Sequence, residues 1–238
     1  MSPPLNPEQD THITALRADL DALRARVAAL EAVVPTIVAA SGAPALPTAA
    51  VPAPDPLDAY LTLTHPFPTT DAPALLKEWV GSTAYRIAFD SRRDGMHHPT
   101  FLGRVLNRPN LMFLVTTHAR DVFGLFSRAP VRTVDVPSED TGFFLFSLYS
   151  HGRVPEPRRW FRKPGDPRRA VAVTLRVASS DVWFEAGAYS VVRVATGRER
   201  SFCCALSACY DQLGDTALTG STYPDGFSVS RLVVLAFD

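Results

Sequence analysis

The stretch FFLFSLY, residues 143–149, is apolar at odd and even positions alike. Successive side chains of a strand point to opposite faces, so a strand of this composition has to be covered on both sides. The flanking sequence supplies further strands. LMFLVTT (111–117) and DVFGLF (121–126) predict a hairpin across three residues. Val171, Val173, Leu175 and Val177 alternate with polar positions, and further strands fit 84–89, 182–186, 188–195, 200–206 and 227–237. Two short helices precede most of them. Asp71-Ala72-Pro73 opens one with Leu75, Leu76, Trp79 and Val80 on one face, closed by Gly81. The other, about 99–106, buries Phe101, Leu102, Val105 and Leu106 after the polar turn DSRRDG (90–95). The expected fold class is α+β, mainly β, built on antiparallel sheets over residues 57–238.

Two further zones precede that domain. Ile13, Leu16, Leu20, Leu23, Val27, Leu30 and Val34 are spaced 3-4-3-4-3-4, a heptad repeat that predicts a coiled-coil oligomerisation helix over 9–34. Asp19 would face Arg24, and Arg26 would face Glu31, in a parallel pairing. Valine and isoleucine at a with leucine at d suit a dimer, whereas RVAALE (26–31) resembles a trimer motif, so both orders stand. An amphipathic helix packed on its own domain is the alternative. Pro35 ends the helix, and residues 35–56 read as a Pro/Ala-rich linker. Residues 32–54 are uncharged, yet their five prolines make a poor spanning helix, so no transmembrane segment is expected.

Charge excludes little more. The 24 basic and 24 acidic residues balance, so whole-chain electrostatics draw the protein neither to nucleic acid nor to an anionic membrane. Three cysteines, Cys203, Cys204 and Cys209, lie within seven residues. An odd number without a secretory signal predicts reduced thiols and a cytoplasmic location.

Several stretches in this order resemble a TLDc domain, in particular the amoebal-type variant with an N-terminal coiled coil. They are LLKEWVG (75–81), YRIAFDSRRDG (85–95), NLMFLVTTHARDVFGLF (110–126), FFLFSLYSHGR (143–153), SFCCALSACYD (201–211), ALTGS (217–221) and FSVSRLVVLAF (227–237). The resemblance implies two antiparallel sheets packed as a sandwich with flanking short helices. It also implies a part in oxidative-stress resistance, binding to the V-type ATPase, or both. Two positions depart from the family pattern. Leu125 follows Gly124 where a second small residue is usual, and Arg231-Leu232-Val233 stands where an acidic residue is typical.

Candidate chemistry is sparse. Ser147, Ser150 and His151 suggest a nucleophile and base, but neighbours on a strand diverge and no G-x-S-x-G elbow accompanies them. Gly152 fits a turn that leaves His151 at the sheet's rim. His97-His98 beside Asp94 lack a chelating spacing and read as a helix-entry turn. Cys203, Cys204 and Cys209 form C-C-x4-C, which is not a zinc spacing, and stand as candidate redox thiols. Residues 153–169 carry seven basic and two acidic residues around Trp160 and Phe161. Arg153, Arg158, Arg159, Trp160, Arg162, Lys163, Arg168 and Arg169 therefore mark a candidate interaction surface on a loop. No P-loop, dinucleotide fingerprint or metal cluster is present, and no cofactor is expected. The combined expectation is a non-catalytic, self-associating module that binds a protein partner. A redox-active or enzymatic protein using the cysteines, and a nucleic-acid binder using 153–169, are the alternatives.

Overall fold

A computed structural model describes residues 72–165, 171–187, 191–196 and 200–238. The heptad repeat, the linker, Asp71, Arg168 and Arg169 lie outside the described residues. Helix α1 (Ala72–Val80) leads into β1 (Tyr85–Asp90), a single helical turn α2 (Ser91–Asp94) and α3 (His98–Val105). Strands β2 (Leu111–Thr117), β3 (Val122–Ser127), β4 (Phe144–Tyr149) and β5 (Arg158–Phe161) follow. Then come β6 (Val173–Leu175), β7 (Val182–Ala186), β8 (Val192–Ala195), β9 (Phe202–Cys203), α4 (Leu206–Cys209) and β10 (Val229–Phe237). The strands form two sheets, one of six in the order β1-β10-β2-β3-β4-β5 and one of four in the order β6-β7-β8-β9. Every strand pair is antiparallel.

The apolar run of β4 is covered on both faces, as its composition requires. Leu145 faces a core shared with the four-stranded sheet, together with Phe113, Val115, Phe123, Leu125, Leu232 and Val234. Phe184 of β7 meets Phe113 of β2 in that core, ring centroids 5.0 Å apart. Phe144, Phe146 and Leu148 face the other way, onto Leu76 and Trp79 of α1. Trp79 lies 6.4 Å from Phe144 and 5.7 Å from Phe146. Helix α1 thus buries the apolar stripe its sequence predicted, and Gly81 ends it at φ 73° with its N–H returning to the Lys77 carbonyl.

Where the observed elements differ from the sequence reading, local chemistry explains it. The polar turn 90–95 is helical because the Asp90 carboxylate accepts from the Arg92 N–H, an N-cap. The strand expected over 200–206 stops at Cys203, since Ala205 adopts a left-handed conformation and Leu206–Cys209 coils into α4. The loop expected over 153–169 contains β5, whose Trp160 pairs with Leu145 of β4.

Two buried positions carry sharp requirements. Gly124 sits where β3 passes beneath the Phe146 ring. A Cβ there would fall on the Phe113 carbonyl oxygen and 2.6 Å from Phe146 Cζ. The Gly124→Ala protein is expected to lose about 3 kcal/mol through overpacking, read as a lowered midpoint in urea unfolding with an unchanged slope.

His98 is buried on α3, stacked on Trp183 at 5.3 Å with its ring Nδ1 3.1 Å from the Ser180 carbonyl oxygen. That contact makes Nδ1 the donor, and the buried Nε2 has no partner. Burial holds His98 below the usual imidazole range, partly offset by backbone hydrogen bonds. The unfolded chain therefore takes up this proton first, and stability falls as pH drops below about 6.5. Urea titrations between neutral pH and mildly acidic pH should show that loss in the native protein and a smaller one in His98→Gln.

Candidate functional site

Strand β4 leaves the sheet through Ser150-His151-Gly152-Arg153, with His151 at φ 52° and Gly152 at φ 80° making the turn. Ser150 is buried, and its Oγ accepts from the Val154 N–H at 2.8 Å. His151 is exposed and turns away, Nε2 donating to the Ala119 carbonyl at 2.7 Å and lying 3.8 Å from Asp121 Oδ1. Ser150 and His151 are thus committed to separate partners.

Asp121, just before β3, is the buried charge at this corner, 1% exposed. The Arg153 guanidinium donates to its Oδ1, and Thr117 Oγ1 donates to Oδ2 at 3.2 Å. Arg153 also reaches the Ala217 and Leu218 carbonyls at 3.4 and 3.5 Å. One side chain therefore ties the β2–β3 hairpin, the exit of β4 and the segment before β10. Removing it strands a buried carboxylate, so Arg153→Ala should destabilise the fold by about 2–3 kcal/mol. Replacing Asp121 with Asn in the same protein should recover part of the loss in a thermal or urea melt.

The turn opens into a groove of about 640 Å³ between residues 153–158 and 212–217. Val154, Trp160 and Ala217 give it an apolar floor continuous with the main core. Arg153, Glu156 and Arg158 form one rim, and Gln212 and Thr216 the other, all exposed. Arg158 spans the rims by donating to Gln212 Oε1, with its guanidinium carbon 5.8 Å from the Trp160 ring centre. Trp160 is 5% exposed, and its buried indole Nε1–H has no acceptor.

The basic residues that the sequence grouped together separate in the structure. Arg159 donates to the Trp79 carbonyl and lies 5.5 Å from Phe144 and 5.4 Å from Phe161 ring centres. Arg162 is buried with its guanidinium 5.9 Å from the Tyr210 ring. Lys163 donates to the Ser207 carbonyl at 2.9 Å and stands 3.8 Å from Asp211. Trp160 tucks into the core, while Phe161 remains half exposed. Only Arg153, Arg158 and Trp160 of the described candidates line the groove. Gln212, Thr216 and Asp121 were missed by the sequence reading. Nothing in DQLGDTA (211–217) distinguishes it from an ordinary turn.

The three cysteines are reduced thiols in different settings. Cys203 is fully buried in the shared core, and burial pushes its thiol far above the ordinary range. Cys204 is half-buried and also raised, by burial first and then by Cys209 and Asp215. Both shifts act against thiolate formation at neutral pH. His97 and His98 also part company, His97 Nδ1 lying 2.9 Å from Thr100 Oγ1 while His98 is buried. Among the described residues no group of three His, Cys, Asp or Glu side chains is placed to hold a metal ion. Among them, too, no helix is long and apolar enough to cross a membrane.

A long, largely buried six-stranded antiparallel sheet backed by α1, with a second antiparallel sheet on its other face, defines a mainly β domain. The family model of the TLDc domain matches residues 74–163. That match runs from α1 to just beyond β5 and includes one wall of the groove. A comparison with curated proteins found no match.

Proposed function

We propose that this chain is a non-catalytic, self-associating protein-interaction module. Residues 57–238 form a TLDc-like β-sandwich, carried through a linker over 35–56 on a coiled-coil stalk over 9–34. The observation that supports binding is the groove beside β5, where an apolar floor is ringed by exposed polar side chains. Recognition sites combine those two features: the floor supplies affinity and the rim fixes orientation. The resemblance to TLDc proteins extends the proposal to an oxidative-stress role or a V-type ATPase partner, in the cytoplasm. Self-association through Ile13, Leu16, Leu20, Leu23, Val27, Leu30 and Val34 would multiply a weak contact, because linked modules bind a repeated partner at high effective concentration.

Sedimentation equilibrium of the full chain at micromolar concentration tests the stalk. A dimer or trimer is expected, and Leu16→Glu with Leu23→Glu should give a monomer. A monomeric native chain would end the self-association reading. Cross-linked capture from the cells that make the protein tests the partner. A discrete polypeptide retained by the native chain, and lost from the monomeric variant by about 100-fold or more in avidity, is the expected result.

A further inference from the structure

Chemistry within the groove narrows what it can hold. We infer that it takes an extended acidic segment of a partner protein, one carboxylate seated on Arg158 beside the Trp160 ring. This rests on the protein-binding reading above and goes further by fixing the class of segment.

The cations around the groove are unequal. Arg153 is already committed to the buried Asp121 carboxylate, and Arg159 to a carbonyl and two aromatic rings. Arg158 holds a neutral amide, Gln212, and the face of Trp160. A carboxylate forms a bond to guanidinium roughly twice as strong as a neutral acceptor does, so an arriving acid displaces the amide. The second observation concerns the floor beneath that guanidinium. Trp160 lines the groove with its ring centre 5.8 Å from the Arg158 guanidinium carbon, so a chain drawn to Arg158 lies against an apolar surface.

Shape and sign then select the ligand. The groove is an open trough between two chain segments, with Pro155 and Pro157 along one side. An extended peptide directs alternate side chains to opposite sides. It can therefore set an aliphatic residue on Val154 and Ala217 while its neighbour's carboxylate reaches Arg158. Glu156 on the same rim repels further negative charge, so the site favours one or two acidic residues among apolar ones over an acidic run.

A random dodecapeptide library displayed against the full chain tests this, with fluorescein-labelled copies of the recovered peptides measured by anisotropy. Enrichment of Asp or Glu next to aliphatic residues is expected. Arg158→Glu should weaken the labelled peptides at least tenfold and Arg158→Gln about fivefold. Arg158→Lys should hold most of the affinity. Arg104→Glu, on the exposed face of α3, should stay within twofold. Near-UV circular dichroism verifies that each variant is folded. The Trp160 indole signal in a 1H–15N spectrum, assigned with Trp160→Phe, should shift at saturation. Recovery of no binder, absence of acidic enrichment, affinity unmoved by both Arg158 variants, or a still indole signal would each overturn the inference. If the native chain captures a partner that Arg158→Glu captures equally, the groove assignment fails and the protein-binding reading stands. If nothing is captured while acidic peptides bind as described, the reverse holds.

Discussion

Strand β10 is the piece on which the larger sheet depends. It lies between β1 and β2, and among the described residues β1 has no other strand beside it. Leu232, Val234 and Ala236 enter the core shared with the second sheet, and Val233, Leu235 and Phe237 enter the cluster under α1. One buried ion pair sets its alignment. Arg231 donates from Nε and a terminal nitrogen to both Asp90 oxygens, at 2.9 and 2.5 Å, and the adjacent Leu232 N–H reaches Ser91 Oγ at 3.0 Å. A slip of one residue would part Arg231 from Asp90 and turn every apolar side chain of the strand to the wrong face. The pair's contribution lies in that register more than in net energy, since desolvating two charges cancels much of their attraction. The buried arginine of β10 is thereby matched by an acid on β1.

The opposite edge of the same sheet is built differently. There β5 buries Trp160 and leaves Arg158 and Phe161 exposed. The corner behind it is fixed by Arg153, which joins three chain segments through Asp121 and two carbonyls. A firm corner beside an exposed trough suits recognition, because the floor and one rim are already held in place before a ligand arrives. Four strands separate that trough from β1, so the two edges serve separate purposes: one closes the fold, the other faces solvent.

Much of this was legible in the sequence, and the reasons are physical. Apolar runs at 111–117, 143–149 and 227–237 announced strands because burial on both faces leaves no polar alternation to misread. Helix α1 was announced by its proline, its apolar stripe and its closing glycine. Residues 200–206 misled because SFCCAL (201–206) has strand-like composition, while the turn is set by the left-handed backbone at Ala205. The groove was only half legible. Arg158 and Trp160 stood out as charged and aromatic, but their partners across the groove are ordinary turn residues brought there by the long return of the chain from β9 to β10. Likewise the composition of 153–169 could not tell which arginines face outward, since Arg162 is buried and Arg159 lies among aromatic rings.

The position of β10 also orders events during synthesis. About 139 residues separate the end of β1 at Asp90 from the start of β10 at Val229. At elongation rates of about 5–20 residues per second, β1 is made roughly 7–28 s before the strand it pairs with. Through that interval its backbone donors and acceptors have no sheet partner, and the apolar faces of β2, β3 and β4 are incompletely covered. Nascent chains in this window are the form most open to mispairing and most in need of a chaperone's hold. Ribosome-bound chains halted before Val229 would carry that vulnerability, and those released after Phe237 would have lost it.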